Sequence, residues 1–509
     1  MGKNQVKFGA LLSYLLIVIN SFYGLIITPY VLSMIGSSEY GVYKTIASMT
    51  ASVAILEFGL SGTLQRYLAK YRALKDEKSA YNFSAMCMIQ ALVLMLIMGV
   101  VGVVLYYMLE PMYGASFSDE ELYRAKQIFV ILIAYVMLHM FENVLFGIIT
   151  GYNQFIFSNG LKIVALLTKI GLYFVVLPIV RNSLAIVCIS VLIEIITITI
   201  EYLYIKKGLH HRIVLYKWDG IVFKESFIYT GLLFVQSIII QFNGNIDNMV
   251  IGAVMGTASV TVYSFSIQMF NMYETCATSI SGVLLPSVTK RIYDGATSRE
   301  MEEYIVRIGR VQWALLGGAL GGFICYGQEF FTLWLGGGFE DCYYLTLILI
   351  IPVTFPLIVN VCLAILKAKN LLVFRTIALA YSALLNALLT LIGTRIWGYW
   401  AAAAGTAVAT IIGSIISLNI YYQIKLKINV FKLYLKILQG TTICIVVSCV
   451  VGLFSNLLIE PVGWVYFALK AVVFVAVYAT SMFLFGLNRN EKELLRRKRN
   501  NENRNINLS

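Results

Sequence analysis

The chain has 509 residues, of which 59% are hydrophobic and only 13% are charged. A water-soluble core cannot bury so much apolar surface, whereas a bilayer of ~30 Å can, at ~20 residues per helix. The net charge of +13 does not indicate nucleic-acid binding, because the basic residues collect between the apolar stretches, where they suit an anionic lipid surface.

The apolar stretches predict fourteen membrane-spanning helices. They lie at residues 8–34, 40–63, 83–109, 126–150, 159–180, 183–206, 224–251, 260–288, 305–327, 343–367, 371–394, 398–424, 432–458 and 462–487. Several exceed the minimum length of a span, so we expect tilted helices or extensions into water. The runs do not alternate as the strands of a β-barrel would. The expected fold is therefore an all-α polytopic membrane protein.

Lysine and arginine lie on one side of this predicted arrangement. The two terminal segments and the gaps after predicted helices 2, 4, 6, 8, 10 and 12, counted with their flanking residues, hold 32 of the 39 basic residues. Acidic residues collect in the opposite gaps, as at residues 119–121. Because cytoplasmic loops carry an excess of Lys and Arg, both termini are predicted to be cytoplasmic, which requires an even number of spans.

An internal repeat divides the predicted spans. A shift of 220 residues aligns residues 36–43 (GSSEYGVY) with residues 256–263 (GTASVTVY). Helices 1–6 and 7–12 would then be two six-helix lobes related by a pseudo-twofold axis along the membrane normal, with a cleft between them suited to alternating access. The predicted divisions are an N-terminal lobe at 1–207, a C-terminal lobe at 208–427, helices 13 and 14 at 428–488, and a basic cytoplasmic tail at 489–509.

Catalytic motifs are not recognisable in the sequence. It has no GxxxxGK[ST] phosphate loop, no Ser-His-Asp arrangement and no paired-cysteine zinc motif, and it holds only three histidines. We therefore expect a transporter rather than an enzyme, with no cofactor and no bound metal.

Several short motifs resemble those of bacterial polysaccharide flippases. The motifs are Asn20–Gly24 with Pro29 and Gly36, Glu57–Leu60, Asp247 with Ile251 and Gly252, Trp334–Gly336, and Asn386 followed by Gly398 and the alanines 401–404. The chain is similar over nearly its whole length to O-antigen and capsule repeat-unit transporters of the multidrug/oligosaccharidyl-lipid/polysaccharide exporter superfamily. The resemblance implies export of undecaprenyl-diphosphate-linked oligosaccharide across the bacterial cytoplasmic (inner) membrane. It also implies a lipid-tail groove at helices 13 and 14.

Such a substrate needs cations for its diphosphate and hydrogen-bonding groups for its sugar. Lys169, in the middle of helix 5, is the first candidate for the phosphate; an internal salt bridge to Glu142 or Glu194 is an equal alternative. The other candidate substrate-binding residues are Lys44, Arg66, Asn243, Asn245, Asp247 and Glu274. Snorkelling of Lys44, a topology signal at Arg66 and capping of a broken helix by the polar residues are the alternatives.

Acids and a histidine within the first lobe predict ion coupling. The candidates are Glu57, Glu142, Glu194 and His139, and His139 shares a helical face with Glu142 three residues later. Carboxylates in a low-dielectric site can bind protons or sodium ions. Structural pairing among His139, Glu142 and Lys169 is the alternative.

Two other functions remain open at this point. A cation-coupled drug antiporter of the same superfamily usually has twelve helices. A membrane glycosyltransferase or polymerase normally carries a large outer loop, and the longest outer gap, about residues 110–125, is too short for a domain. The expected partners are the lipid-linked oligosaccharide, anionic lipids at the basic loops, and a polysaccharide polymerase or glycosyltransferase, with no nucleic acid.

Overall fold

The computed structural model describes residues 2–54, 59–218, 244–282, 294–369, 371–458 and 463–488, with isolated positions between these ranges. All regular structure in this part of the chain is helical. The predicted all-α membrane fold is confirmed.

Long helices follow one another with short connections. The first six are α1 (Gly2–Val53), α2 (Leu60–Ala73), α3 (Glu77–Tyr113), α4 (Asp119–Gly151), α5 (Phe155–Val180) and α6 (Ser183–Lys207). Residues 244–255 are also helical. The next six are α7 (Thr257–Gly282), α8 (Ser298–Leu335), α9 (Asp341–Ile358), α10 (Val361–Ala368), α11 (Val373–Trp397) and α12 (Tyr399–Thr410). A π-helical segment at Ile411–Ser417 leads to α13 (Leu418–Leu426), α14 (Val430–Leu438), α15 (Thr441–Leu458) and α16 (Trp464–Ser481), which ends in a π-helical turn at Met482–Gly486.

Ten helical segments in the described part of the chain are long and apolar enough to cross a membrane. They correspond to the third to sixth and the ninth to fourteenth predicted spans. The first predicted span and the start of the second lie in α1, and the eighth corresponds to α7. Most of the seventh, at 224–251, lies outside the described residues, and so does most of the basic tail at 489–509.

Three predicted spans are each divided in the structure. In the second, α1 ends at Val53 and α2 begins after Gly59, whose φ is 97°. The tenth is divided into α9 and α10, shortly after two prolines that each remove a backbone hydrogen bond. The thirteenth is divided into α14 and α15 at Gly440, with φ 81°. Left-handed backbone, which glycine adopts readily, accounts for the first and third divisions.

The chain forms two compact units. The first comprises residues 1–264 and 386–402, and the second comprises 265–385 and 403–509. The core of the first unit is built on fully buried side chains such as Ile46, Leu64 and Ile148. Fully buried Ile305 and Ile437 belong to the core of the second unit. The predicted lobe boundary at residue 207 stays a prediction.

The two repeat-related turns lie against each other within the first unit. Thr261 Oγ1 donates a hydrogen bond to the carbonyl of Ser37 at 2.7 Å. A Cβ on Gly41 would lie 2.0 Å from the carbonyl oxygen of Thr257, so only glycine fits this approach. Glu121, in the first turn of α4, accepts hydrogen bonds from Ser38 and, at 2.7 Å, from Thr257 Oγ1. One carboxylate therefore connects α1, α4 and α7.

His211 docks the segment after α6 onto the ends of α3 and α4. Its Nδ1 lies 3.0 Å from the hydroxyl of Tyr152, and its Nε2 lies 2.9 Å from Ser84 Oγ. The side chain of Tyr81 meets the imidazole edge-on. Burial lowers the pKa of His211 to about 4, because a charged imidazolium would lose its hydration in this site.

Two buried cations hold α8 to the C-terminal helices of the second unit. Arg310 donates hydrogen bonds to the carbonyl oxygens of Gln439 at 2.8 Å, Gly486 at 2.6 Å and Lys436 at 3.4 Å. Near the other end of α8, Lys470 Nζ lies 2.9 Å from Glu329 Oε2. The C-terminal carbonyls of α14, which have no partner within their own helix, are thus satisfied by a side chain.

Candidate functional site

Charged side chains on three neighbouring helices of the first unit form a ladder. The helical repeat places residues seven apart on one face, two turns from each other. On α5 this spacing separates Lys162 from Lys169, and on α6 it separates Glu194 from Glu201. On α4, His139 and Glu142 share a face three residues apart. We call this set the charge ladder; its members are His139, Glu142, Lys162, Lys169, Glu194 and Glu201.

His139 lies between two carboxylates of the ladder. Its Nδ1 is 2.9 Å from Glu194 Oε1 and 3.6 Å from Glu142 Oε2. An ionised carboxylate can only accept, so this contact is a hydrogen bond in the tautomer that carries its proton on Nδ1. The imidazole stacks on Tyr135 with ring centroids 5.9 Å apart, and 38% of its side chain is exposed. His139 therefore contacts the buried acids while part of its side chain stays exposed.

The lysines occupy the α5 side of the ladder. Lys162 Nζ lies 3.9 Å from Glu142 Oε1 and 3.7 Å from the centroid of the Phe146 ring. Lys169, half-buried, is within electrostatic reach of Glu194, and its Nζ is 5.9 Å from the centroid of the Tyr173 ring. The ladder thus pairs Lys162 with Glu142 directly, while Lys169 faces Glu194 at longer range.

Glu201 is the most deeply buried member of the ladder. Its exposure is 0%, and in the described part of the chain its carboxyl group has no donor from a hydroxyl, amide or cationic side chain; its hydrogen-bonding neighbour is the carboxyl group of Glu142. It lies within electrostatic reach of Glu142 and Lys162. A carboxylate buried without a donor is costly, so the arrangement can accept a proton or another cation.

The ladder also contains atoms spaced for metal coordination. One ligand atom each from His139, Glu142 and Glu194 lie within 4.8 Å of one another. Lys162, at 3.9 Å from Glu142, would repel a multivalent ion there. The donor set therefore suits a single positive charge better than a divalent one.

A second polar cluster surrounds Asp247 within the first unit. Asp247 is 3% exposed, and it accepts hydrogen bonds from Tyr263 at 2.6 Å, Thr390 at 2.9 Å and Asn386 at 3.3 Å. Two of these donors lie on α11, about 140 residues away in sequence. Next to Asp247, the amide of Asn248 donates to Ser48 Oγ at 3.1 Å.

The remaining predicted site residues are dispersed. Lys44 lies 5.3 Å from the centroid of the Tyr40 ring, and Arg66 is exposed on α2. Asn245 is partly exposed. Glu274, on α7 in the second unit, is within electrostatic reach of Arg375. Glu57 and Asn243 lie outside the described residues.

Sequence reasoning identified His139, Glu142, Glu194 and Lys169 but missed Lys162 and Glu201. Both missed residues lie near the ends of predicted spans, where charges are ordinarily read as topology signals. The seven-residue spacing from Lys162 to Lys169, and from Glu194 to Glu201, was the available signal.

Solved structures of transporters share this fold. Lipid II flippase MurJ, in an inward closed conformation, aligns with a TM-score of 0.70 at 14% identity over 94% of this chain and 98% of that chain. An inward-facing multidrug resistance MATE family transporter of the MOP superfamily aligns with a TM-score of 0.60 at 14% identity, over 80% of this chain and 94% of that chain. A mutant of the Vibrio cholerae MATE transporter VcmN aligns with a TM-score of 0.54 at 10% identity, over 84% of this chain and 99% of that chain.

These similarities define the fold as that of MOP superfamily transporters, as the resemblance implied. A family model described as "Polysaccharide biosynthesis protein" matches residues 7–291, which is more than half of the chain. The chain belongs to this family. No curated protein matches the sequence.

Proposed function

We propose that this protein is an alternating-access flippase that moves undecaprenyl-diphosphate-linked oligosaccharide repeat units from the cytoplasmic to the outer leaflet, for O-antigen, capsule or related surface polysaccharides. The observation that carries the proposal is the alignment with a lipid II flippase over 94% of this chain and 98% of that chain. The alignment with the inward-facing MATE family transporter covers only 80% of this chain. Membership of the polysaccharide biosynthesis family supports the same substrate class.

Lys169 is the residue to which we assign the diphosphate of the lipid. It is half-buried on a mostly apolar helix, where a cation is costly unless an anion offsets part of its lost hydration. Lys162, two turns away on the same face, extends the positive surface toward the start of α5. A membrane potential of ~100 mV, negative inside, favours outward movement of two negative charges by ~4–5 kcal/mol.

The other predicted contacts are assigned secondary roles in this proposal. Lys44 and Arg66 would attract the phosphates, and Asn243, Asn245 and Glu274 would bind sugar hydroxyl groups. Asp247 would orient these groups rather than bind sugar directly, because three donors already occupy its carboxylate.

The proposed location is the bacterial cytoplasmic membrane, with both chain termini in the cytoplasm. The basic loops would contact anionic lipid head groups, as the clustering of Lys and Arg in one set of gaps favours. A polysaccharide polymerase or glycosyltransferase is the proposed protein partner, since such enzymes make or consume the same lipid.

Reconstitution into vesicles tests the flippase proposal. The probe is a polyprenyl-diphosphate disaccharide with a fluorophore on its sugar, and dithionite added outside reduces only the exposed fluorophore. Vesicles with the flippase should lose nearly all fluorescence, while protein-free vesicles should lose about half. Equal quenching in both would refute the proposal.

Variants of Lys169 then test the proposed phosphate contact in the same vesicles. Lys169→Gln should slow quenching at least ~10-fold, and Lys169→Arg should restore part of the rate, because a single charge contact is worth ~1.5–3 kcal/mol. Lys78→Gln, which removes an exposed lysine, is the matched control. A normal quenching rate with Lys169→Gln would contradict the proposed phosphate contact and would indicate a structural role for Lys169.

A cation-coupled antiporter is the second candidate function, favoured by the MATE alignments and by the acids of the charge ladder. If the protein has this function, an ion gradient should drive uptake of a cationic dye into the reconstituted vesicles. The protein should then add nothing to the dithionite quenching of the lipid probe.

A further inference from the structure

The segment that follows α6 has no regular structure, yet hydrogen bonds fix it to the first unit near both of its ends. The backbone N–H groups of Leu209 and His211 donate to carbonyl oxygens near the end of α6, at 3.0 and 3.1 Å. Further along, Asn82 on α3 accepts hydrogen bonds from the N–H groups of Tyr216 and Lys217, at 2.8 and 3.0 Å. The same amide donates to the carbonyl oxygen of Lys217 at 2.8 Å. The segment is therefore held in one conformation.

Burial alternates along the first part of this segment. His211 is buried, and Leu209 and Ile213, two residues to either side, pack on the core of the first unit. His210 and Arg212, which lie between these positions, are exposed. Because the inward side chains fix the orientation of the backbone, they also decide which side chains the segment presents outward.

The outward surface of residues 212–218 (RIVLYKW) combines hydrophobic and basic side chains. Its four large hydrophobic side chains are between 39% and 56% exposed; they are Val214, Leu215, Tyr216 and Trp218. Arg212 and Lys217 are exposed among them. With the two lysines that end α6, the stretch 206–218 holds four Lys or Arg residues and no acid. We call residues 212–218 the basic–aromatic strip.

The basic–aromatic strip lies where three membrane-spanning helices end. It begins a few residues after Lys207, the last residue of α6, and its backbone contacts Asn82 in the second turn of α3. His211, just before the strip, contacts Tyr152 at the end of α4. Because α3, α4 and α6 are each long and apolar enough to cross a membrane, their shared end lies at the bilayer surface. Trp and Tyr, together with Lys and Arg, are enriched at this level of membrane proteins.

We propose that the basic–aromatic strip is a docking surface for anionic lipid head groups of the surrounding membrane. Arg212 and Lys217 bind the lipid phosphates by charge-assisted hydrogen bonds, while the hydrophobic side chains lie at the boundary between head groups and acyl chains. An acidic protein would match the charges alone, whereas a lipid surface matches both the charges and the exposed hydrophobic side chains. The inference deepens the proposed contact between basic loops and anionic lipids, and it does not depend on the cargo.

Fluorescence of Trp218 tests the contact in nanodiscs of phosphatidylcholine. The chain has six tryptophans, so five are replaced by phenylalanine and Trp218 is kept. Brominated phosphatidylglycerol should quench Trp218 about twofold more than brominated phosphatidylcholine at the same mole fraction, because basic residues near a membrane attract anionic lipid. About 1 M salt should remove most of this difference, since the screening length falls to ~3 Å.

Two results of the quenching experiment would overturn the proposal. Equal quenching by the two brominated lipids would show that the strip has no preference for anionic head groups. Quenching by neither lipid, with full quenching by iodide in the buffer, would show that the strip faces water and is left for an acidic protein.

Native mass spectrometry of the natural chain measures bound phosphatidylglycerol without any change of tryptophan. Arg212→Gln combined with Lys217→Gln should weaken phosphatidylglycerol binding at least ~5-fold and leave phosphatidylcholine binding unchanged. Arg299→Gln combined with Arg307→Gln, which removes two exposed charges on α8, is the matched control and should bind both lipids normally. Normal phosphatidylglycerol binding by the first double variant would overturn the proposed surface.

Asn82→Ala separates the position of the strip from its charge. This variant keeps every basic residue but removes the three hydrogen bonds to the backbone of Tyr216 and Lys217, so it should lose part of the preference for phosphatidylglycerol. An unchanged preference would contradict the role of Asn82 in presenting the strip.

Neither lipid measurement involves transport, so the two proposals can fail separately. A preference for phosphatidylglycerol in a protein that does not move the lipid probe would count against the proposed function alone. Movement of the probe by a protein without this preference would count against the docking surface alone.

Discussion

Gly36 and Gly256 stand at equivalent places in the internal repeat and share one backbone geometry, with φ angles of 81° and 82°. At Gly36 the ψ angle is 167°, a combination that residues with a Cβ rarely adopt. The sequence match between residues 36–43 and 256–263 is therefore accompanied by a match in conformation. A helix interruption is built into both copies at the same position.

Replacing either glycine by alanine should destabilise the protein. We expect Gly36→Ala and Gly256→Ala each to lower the free energy of unfolding by ~1–3 kcal/mol, the usual strain of such a conformation. Gly62→Ala is the control, because Gly62 lies in α2 with open space around its Cα and should tolerate or favour alanine. Thermal unfolding in detergent measures the difference, and equal midpoints for Gly36→Ala and Gly62→Ala would contradict it.

Stability should depend on pH through His211. Burial holds its pKa at about 4, below an unfolded value of ~6.5, so the unfolded chain binds a proton first as the pH falls. The stabilisation is complete above about pH 6.5 and is lost progressively toward about pH 4, by up to about 3 kcal/mol. Thermal midpoints of His211→Gln should fall less steeply with acidification than those of wild type or of His210→Gln. The idea fails if all three curves are parallel.

Arg310 should be irreplaceable by lysine. The planar guanidinium of Arg310 donates hydrogen bonds to three carbonyl oxygens at once. A lysine ammonium carries its donors on a single nitrogen and cannot reproduce this geometry. We expect Arg310→Lys to lose about 2 kcal/mol of stability, since hydrogen bonds to charged groups contribute ~1.5–3 kcal/mol. Arg307→Lys, at an exposed position on the same helix, should leave the free energy of unfolding nearly unchanged. Similar unfolding midpoints for the two variants would disprove the role of Arg310.

The ion pair between Lys470 and Glu329 should matter only when one partner is removed. Lys470→Met leaves a buried carboxylate without its cation and should cost ~3–5 kcal/mol, while the double change with Glu329→Met should recover most of that loss. The comparison is the pair of exposed Lys436 and partly buried Glu302, and Lys436→Met should change stability by under ~1 kcal/mol. A double-mutant cycle by chemical denaturation decides this, and a coupling near zero at Lys470 would contradict it.

Hydropathy and charge bias predicted the helical membrane architecture, because both depend on composition over a whole span. They could not predict the divisions at Gly59 and Gly440, since hydropathy contains no information on backbone dihedral angles. The hydrogen-bond partners of Asp247 could not be predicted for another reason. Asn386 and Thr390 are about 140 residues away in sequence and contact Asp247 only in the folded chain. In the charge ladder, by contrast, helical periodicity alone could have added Lys162 and Glu201 to the predicted residues.

The paired spacing of the ladder also limits how these helices can move. Sliding α5 along both α4 and α6 by one turn, about 5.4 Å, would separate Lys162 from Glu142 on α4 and would carry Lys169 away from Glu194 on α6. Axial slippage would therefore weaken two electrostatic interactions at once. Whatever motion the transport cycle requires, α4, α5 and α6 should travel as one rigid block.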